Sequence, residues 1–112
     1  MHFVETVKGD VTVVAVKGNL THKEDTDKLH ERLMAVLKKN GCKIVLDLKN
    51  VSMITSLGIG GIIRALRAVR EGKGDLKLSS VNASVKKVFD ITKLNEIIDI
   101  VDSSDEAVKK FT

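Results

Sequence analysis

The alternation of apolar and polar residues predicts strands at the start of the chain. Residues 3–7 and 11–17 are two strand candidates, and the second is apolar on both faces for most of its length. A strand that is apolar on both faces is expected inside a sheet. Lys8-Gly9-Asp10 indicates a tight hairpin turn with a positive φ at Gly9. The chain is therefore predicted to open with a β-hairpin whose second strand is central.

A helix is predicted next, after Gly18-Asn19 ends the second strand. Thr21-His22-Lys23-Glu24 matches a capping box, in which the Thr hydroxyl and the Glu carboxylate each accept a bond from a free backbone N–H group. The spacing of the apolar residues that follow is helical, and Asn40-Gly41 supplies the stop. These apolar residues are Leu29, Leu33, Val36 and Leu37.

The middle of the chain predicts a strand, a turn and a second helix. Ile44–Leu48 is a short apolar run typical of a buried strand, and residues 50–56 form the turn. The helix is predicted over Gly58–Glu71, and the Gly72–Asp75 segment ends it. Its inward face is expected to carry Ile59, Ile62, Ile63, Leu66 and Val69.

The last third repeats this alternation of strand and helix. Strands are predicted over Leu76–Ser79 and Ile97–Val101. Asn82 caps the helix between them, and a second capping box at Ser103–Glu106 opens a final helix. The buried positions of the two helices are predicted to be Val85, Val88 and Phe89 in the first and Ala107, Val108 and Phe111 in the second. The element order ββαβαβαβα predicts one α/β domain over residues 1–112, a small mixed sheet with about four helices packed on it.

Composition narrows the classes of function. The 112 residues carry a net charge of +4 with basic and acidic residues interleaved, and they include no Trp or Tyr. Direct nucleic-acid binding is not expected, because it usually needs a basic face or stacking aromatics. A lone Cys42, no secretory leader and no apolar run of membrane-spanning length together favour a cytoplasmic protein without membrane insertion.

The sequence offers no catalytic or metal-binding constellation. The histidines are His2 at the terminus and His22 and His30 in the charged first helix, where they are expected to be solvated. Ser56 does not stand in a Gly-x-Ser-x-Gly elbow. Cys42 has no nearby metal-ligating partner. We therefore predict a protein that is not an enzyme and needs no cofactor.

Two features of the second helix allow alternative interpretations. Three glycines within four residues, Gly58, Gly60 and Gly61, indicate either close backbone packing or an exposed patch that something else approaches. Arginines spaced by three share one side of the helix, which is either solvated or faces an acidic partner. These are Arg64, Arg67 and Arg70.

Thr55 and Ser56 lie where the buried strand passes into the second helix. One of them could simply cap the helix. Alternatively, one could accept a phosphate, which the free N–H groups and the dipole of a helix N-terminus would stabilise. Residue chemistry alone leaves both alternatives open.

The stretch from Val45 to Gly60, VLDLKNVSMITSLGIG, resembles the signature of STAS domains of bacterial anti-sigma factor antagonists. That signature runs from a strand through D-L-S-x-V and an apolar pair to Asp-Ser-Ser-Gly-Leu-Gly. The resemblance extends over nearly the whole chain. It includes Gly18-Asn19-Leu20, the strand segment at 76–81 and the helix segment at 88–94.

This resemblance implies a phosphorylation switch. In that family the first serine of Asp-Ser-Ser-Gly is phosphorylated by the anti-sigma factor, which is a serine kinase. The unphosphorylated antagonist binds the kinase and frees the sigma factor, and a serine phosphatase restores that form. By position the acceptor is Ser56, with Thr55 in reserve. The implied partner-binding residues are Thr21, Ser56, Leu57, Gly58, Gly60, Gly61 and Arg64.

The chain departs from the family pattern at three positions. Thr55 replaces the family's Asp, Leu57 its second serine and Thr21 the Asp that ends G-x-L-D. Related STAS proteins in stress-sensing scaffolds carry Thr or Ser in this loop, and others are small subunits of lipid transport systems. A constitutive scaffold or transport accessory subunit is therefore the alternative function.

Overall fold

The five strands found in residues 1–111, the part of the chain that the computed structural model describes, form one mixed sheet. The strands are β1 (His2–Lys8), β2 (Val11–Lys17), β3 (Lys43–Asn50), β4 (Asp75–Ser79) and β5 (Ile100–Val101). They lie side by side in chain order. β1 pairs with β2 in antiparallel fashion, and β2 to β5 are parallel. The predicted hairpin and central second strand are confirmed, with Gly9 at φ +66°.

Each of the parallel strands is followed by a helix. The helices are α1 (Lys23–Asn40), α2 (Ser56–Glu71), α3 (Ala83–Ile91) and α4 (Ser104–Lys109), with a 3-10 turn at Leu94–Glu96. The predicted element order is therefore confirmed, as are the caps of α3 and α4. The Asn82 side chain accepts from the Val85 N–H, and that of Ser103 accepts from the Glu106 N–H.

The sheet buries both of its faces, but unequally. The three crossover helices pack on one face around a large aliphatic core with Phe89 fully buried in it. On the other face α4 covers a small cluster of Val11, Val13, Val45 and Ala107. This is why the central strands are apolar on both sides.

The start of α1 corrects one prediction. His22, not Thr21, occupies the N-cap position, and the residue that folds back is Asp25, not Glu24. The Asp25 carboxylate accepts from the N–H groups of His22 at 3.1 Å and Thr21 at 3.4 Å. The Thr21 hydroxyl instead forms a 2.9 Å hydrogen bond with Nδ1 of His22.

Two further element bounds differ from the sequence prediction. α2 begins at Ser56, two residues before Gly58, since the Ile59 N–H already bonds the Thr55 carbonyl at 3.0 Å. The last strand is only Ile100–Val101, because it pairs with the two final residues of β4. Ile97 precedes it, outside the sheet and 44% exposed.

Candidate functional site

The candidate site lies at the carboxyl edge of the parallel sheet. The loops that follow β2, β3 and β4 meet there, because the carboxyl ends of parallel strands share one edge. The middle loop carries Thr55 and leads into Ser56, and we call residues 51–56 the Ser56 loop. Its position between two neighbouring loops explains how it is held.

Asn19, in the loop after β2, fixes the first half of the Ser56 loop. Its Oδ1 accepts three hydrogen bonds, from the Ser52 N–H at 3.2 Å, the Ser52 hydroxyl at 3.0 Å and the Met53 N–H at 3.2 Å. From the other side, Nδ2 of Asn82 donates to the Val51 carbonyl at 2.8 Å. Neither contact can be seen in the sequence, since both join residues more than 30 positions apart.

Leu20 holds the second half of the Ser56 loop through main-chain hydrogen bonds, as a short strand would. Its N–H donates to the Met53 carbonyl and its carbonyl accepts from the Thr55 N–H, both at 3.1 Å, and it forms a parallel bridge with Ile54. Leu20 is also fully buried. Main-chain bonds from Leu20 and side-chain bonds from Asn19 and Asn82 therefore hold the Ser56 loop in one position.

The two candidate phosphate acceptors differ in their surroundings. Thr55 is half-buried at the N-cap position, but its hydroxyl donates to the Thr21 carbonyl at 3.3 Å and caps no N–H group of α2. Ser56 is exposed, and its hydroxyl makes no hydrogen bond to another residue in the described part of the chain. Ser56 is thus the more accessible hydroxyl, at the first turn of a 16-residue helix.

Two exposed apolar side chains belong to the Ser56 loop and the start of α2. Leu57 is 55% exposed and Met53 is 57% exposed, although both are large and hydrophobic. Thr21 is half-buried at the adjoining loop. Exposed apolar groups next to polar ones are typical of a surface that a protein partner covers.

The three glycines of α2 have different surroundings in the structure. A Cβ on Gly58 would collide with the Leu20 carbonyl oxygen, and one on Gly61 would lie 2.5 Å from Cγ2 of Thr26 in α1. A Cβ on Gly60 would meet nothing within 4 Å. Gly58 and Gly61 are buried and serve packing, whereas Gly60 is exposed. Close packing therefore explains Gly58 and Gly61, whereas Gly60 is left exposed.

The three arginines of α2 also differ. Arg64 forms an ion pair with Asp27 of α1 at 3.1 Å, and Arg70 forms one with Asp75 at 3.3 Å. Arg67 is exposed, and no carboxylate among residues 1–111 lies within ion-pair distance of it. The side of the helix is therefore charged, but only one guanidinium is unpaired.

The two histidines of α1 and its N-cap differ in exposure. The His22 side chain is 81% exposed and its ring bonds Thr21, as the prediction of a solvated residue requires. The same prediction is wrong for His30, which is half-buried with its Nδ1 enclosed and unpaired. Its position on the side of α1 that packs inward explains the difference.

The described residues offer neither a metal site nor a membrane-spanning helix. They contain no group of three or more His, Cys, Asp or Glu side chains arranged to hold a metal ion. Nor does any helix in residues 1–111 combine the length and the apolar character needed to cross a bilayer.

A mixed five-stranded sheet with three crossover helices on one face and a short helix on the other defines an α/β domain, with a serine loop at its carboxyl edge. The STAS domain model matches residues 3–107, so the chain belongs to the STAS domain family. Its curated relatives include proteins named anti-sigma factor antagonists. The anti-sigma-B factor antagonist of Bacillus subtilis is 35% identical over 81 residues, which are 72% of this chain and 73% of that protein.

Solved structures agree with this assignment. A Thermotoga maritima protein, described as a candidate anti-sigma factor antagonist, superimposes with a TM-score of 0.87 at 28% identity, covering 96% of this chain and 92% of that one. The Bacillus cell fate determinant SpoIIAA in its phosphorylated form gives a TM-score of 0.72 at 18% identity, covering 99% of this chain and 100% of that one. At that identity the second comparison establishes a shared fold.

Proposed function

We propose that this protein is an anti-sigma factor antagonist that works by binding and is switched by phosphorylation of Ser56. The unphosphorylated protein would bind an anti-sigma factor that is a serine kinase, and so free a sigma factor for transcription. A serine phosphatase would reverse the modification. These exchanges would take place in the cytoplasm, where transcription occurs, without direct contact between this protein and nucleic acid.

The observation that carries the proposal is the exposed, unbonded hydroxyl of Ser56 on a loop held rigidly at the start of α2. A kinase must reach the acceptor oxygen, and here no hydrogen bond with a described residue has to be broken first. The Thr55 hydroxyl is already engaged with the Thr21 carbonyl. This contrast favours Ser56 as the acceptor and makes Thr55 the reserve site.

A phosphate on Ser56 could be carried without unfolding the domain. The N–H groups of the first turn have no partner within the helix, and the helix dipole favours a negative charge there. The Thr55 side chain does not compete for those N–H groups, because it caps none of them. The folded state would therefore tolerate both forms of the switch.

The same phosphate would oppose docking. It adds close to two negative charges at the start of α2, in the segment that also carries the exposed side chains of Met53 and Leu57. A partner that covers this apolar surface would have to desolvate the phosphate, which costs several kcal/mol unless it is paired. The proposed contact surface comprises Thr21, Ser56, Leu57, Gly60 and Arg64, while the buried Gly58 and Gly61 shape it from beneath.

A capture assay with two Ser56 variants tests the proposal. Ser56→Ala and Ser56→Asp proteins are immobilised and exposed to lysate of the source cells, and bound proteins are identified by mass spectrometry. We expect Ser56→Ala to retain a serine-kinase anti-sigma factor and Ser56→Asp to retain about tenfold less, since a charge is buried at the interface. Lys38→Glu, which changes the charge at an exposed position of α1, is the matched control and should bind like the wild type.

Equal capture by both Ser56 variants would contradict the switch. If the captured protein were then a membrane transporter or a large stress-sensing assembly, the constitutive scaffold or accessory subunit would be the better function. Turnover of a simple ester or phosphate substrate that Ser56→Ala abolishes would instead indicate an enzyme.

A further inference from the structure

The far end of α2 carries an open groove that the phosphorylation switch does not use. It lies between the last turns of α2 and the segment after the 3-10 turn, with a volume of about 380 Å³. Its lining residues are Ile63, Leu66, Arg67, Arg70, Glu71 and Ile97. Ser56 is eleven residues away from Arg67, which is about 16 Å along the helix axis.

The floor of the groove is aliphatic and partly exposed. Leu66 is buried, Ile63 is half-buried and Ile97 is 44% exposed. Ile97 lies outside both the core and the sheet, whereas the next residue, Ile98, is buried. Apolar surface left in water in a concave site favours an apolar side chain from outside, which would gain about 25 cal/mol per Å² that it covers.

The groove is already formed. The Arg70 guanidinium donates to the Ile97 carbonyl at 2.9 Å and to the Asp75 carboxylate at 3.3 Å, which ties the segment after the 3-10 turn to α2. A ligand would therefore not have to order either wall, and the entropic cost of binding is correspondingly small.

The charge at the rim indicates the chemistry of the occupant. Arg64 and Arg70 both have carboxylate partners, whereas Arg67 has none within ion-pair distance in the described residues. Glu71 is one turn further along α2, but it does not pair with Arg67. An unpaired guanidinium beside aliphatic side chains suits a segment with an acidic and an apolar side chain close together.

The groove and Ser56 lie on the same side of α2. Residues 56, 60 and 67 are separated by four and seven positions, so they lie along one side of α2. No side chain stands over Gly60 in the middle of this line. A partner helix could therefore approach the backbone closely at Gly60 and reach both ends of α2.

We infer that the anti-sigma factor lays an amphipathic helix along α2, with an apolar side chain against Ile97 and a carboxylate against Arg67. This inference rests on the proposed function, because it names a second contact of the same partner. Arg67 and Ile97 would supply affinity that does not depend on Ser56. Phosphate on Ser56 would weaken the contact at the start of α2 and leave the contact at Arg67 and Ile97 in place.

The test measures binding of the purified anti-sigma factor, captured as described above, to four variants by calorimetry. Ile97→Asp should weaken binding about tenfold, and Arg67→Glu about threefold or more, with a larger effect at low salt. Ile91→Asp and Lys38→Glu are the matched controls. Ile91 is 73% exposed but does not line the groove, and Lys38 is exposed on α1. Both controls should bind like the wild type, and circular dichroism checks that each variant is folded.

The outcomes separate the two proposals. Binding that Ser56→Asp weakens but Ile97→Asp and Arg67→Glu leave unchanged would overturn the groove contact and keep the switch. Binding that the groove variants weaken but Ser56→Asp does not would keep the groove contact and overturn the switch. No binding of an anti-sigma factor by the wild type would overturn both.

Sedimentation of the protein alone tests whether a second copy occupies the groove. A wild-type dimer that Ile97→Asp dissociates would overturn the assignment to the partner helix, and a monomer in both cases supports it.

Discussion

At the scale of single residues, two adjacent hydroxyls have different environments. The sequence predicted that Thr55 or Ser56 could cap the helix or accept phosphate, and the structure gives Thr55 the N-cap position and leaves Ser56 exposed. This difference could not be read from the chain, because it depends on where the Thr21 carbonyl lies. The same holds for Asn19, whose three bonds to the Ser56 loop join residues that are far apart in sequence.

Lys77 is a second residue whose role depends on tertiary contacts. In the sequence it is an ordinary charged position in a strand, but its side chain is only 9% exposed. Nζ lies 2.7 Å from Asp99 and 3.7 Å from Asp75, and it stands over the Phe111 ring at 4.8 Å. These contacts of Lys77 link Phe111, which follows α4, to the sheet.

The pair formed by Lys77 and Asp99 predicts a change of stability in acid. The hydrogen bond from Lys77 holds the pKa of the Asp99 carboxyl below its usual value. A lowered pKa in the folded state stabilises the fold above the unfolded-state pKa of about 3.9, and this contribution is lost as the pH falls through the folded-state pKa. The carboxylate is half exposed, so the effect is modest.

Urea unfolding of the wild type and Asp99→Asn between pH 3 and pH 7 measures this effect. The difference in the free energy of unfolding should be constant at neutral pH and should shrink towards pH 3. Parallel curves over the whole range would contradict the assignment.

At the scale of elements, α2 packs through its glycines. Gly58 lets the helix start against Leu20, and Gly61 brings it against Thr26 of α1. The apolar pattern predicted where α2 lies and which side faces the core, with Ile63 half-buried instead of buried. It could not distinguish the packed glycines from the exposed one, because glycine has no side chain whose polarity would indicate burial or exposure.

Alanine substitutions in α2 should have opposite signs. Gly58→Ala places a Cβ against backbone, which cannot move aside cheaply, so we expect a loss of about 1–3 kcal/mol in the free energy of unfolding. Gly60→Ala has open space and should gain about 0.4–1 kcal/mol from helix propensity and reduced chain entropy. Thermal or denaturant unfolding of both variants measures these changes. A stable Gly58→Ala protein would show that the contact with Leu20 is not tight.

At the scale of the whole molecule, the element order and the mixed sheet followed from the hydrophobic pattern. Three strand–helix crossovers after a hairpin place the loops together at one edge, and these loops form the candidate site. The pattern was wrong about the start of the last strand, which was predicted at Ile97 and lies at Ile100, so that Ile97 is exposed after the 3-10 turn. Lys93, which follows the end of α3, lies in the left-handed region at φ +59°. No residue type in this segment predicts that conformation.

The central claim is that Ser56 accepts a phosphate, and mass spectrometry of the protein from its native cells tests it most directly. Cleavage after Lys49 and Arg64 gives a peptide of residues 50–64 whose hydroxyls belong to Ser52, Thr55 and Ser56. We predict a phosphate on Ser56 whose occupancy changes with growth condition. A peptide that is unmodified under every condition, or modified only on Thr55, would contradict the claim.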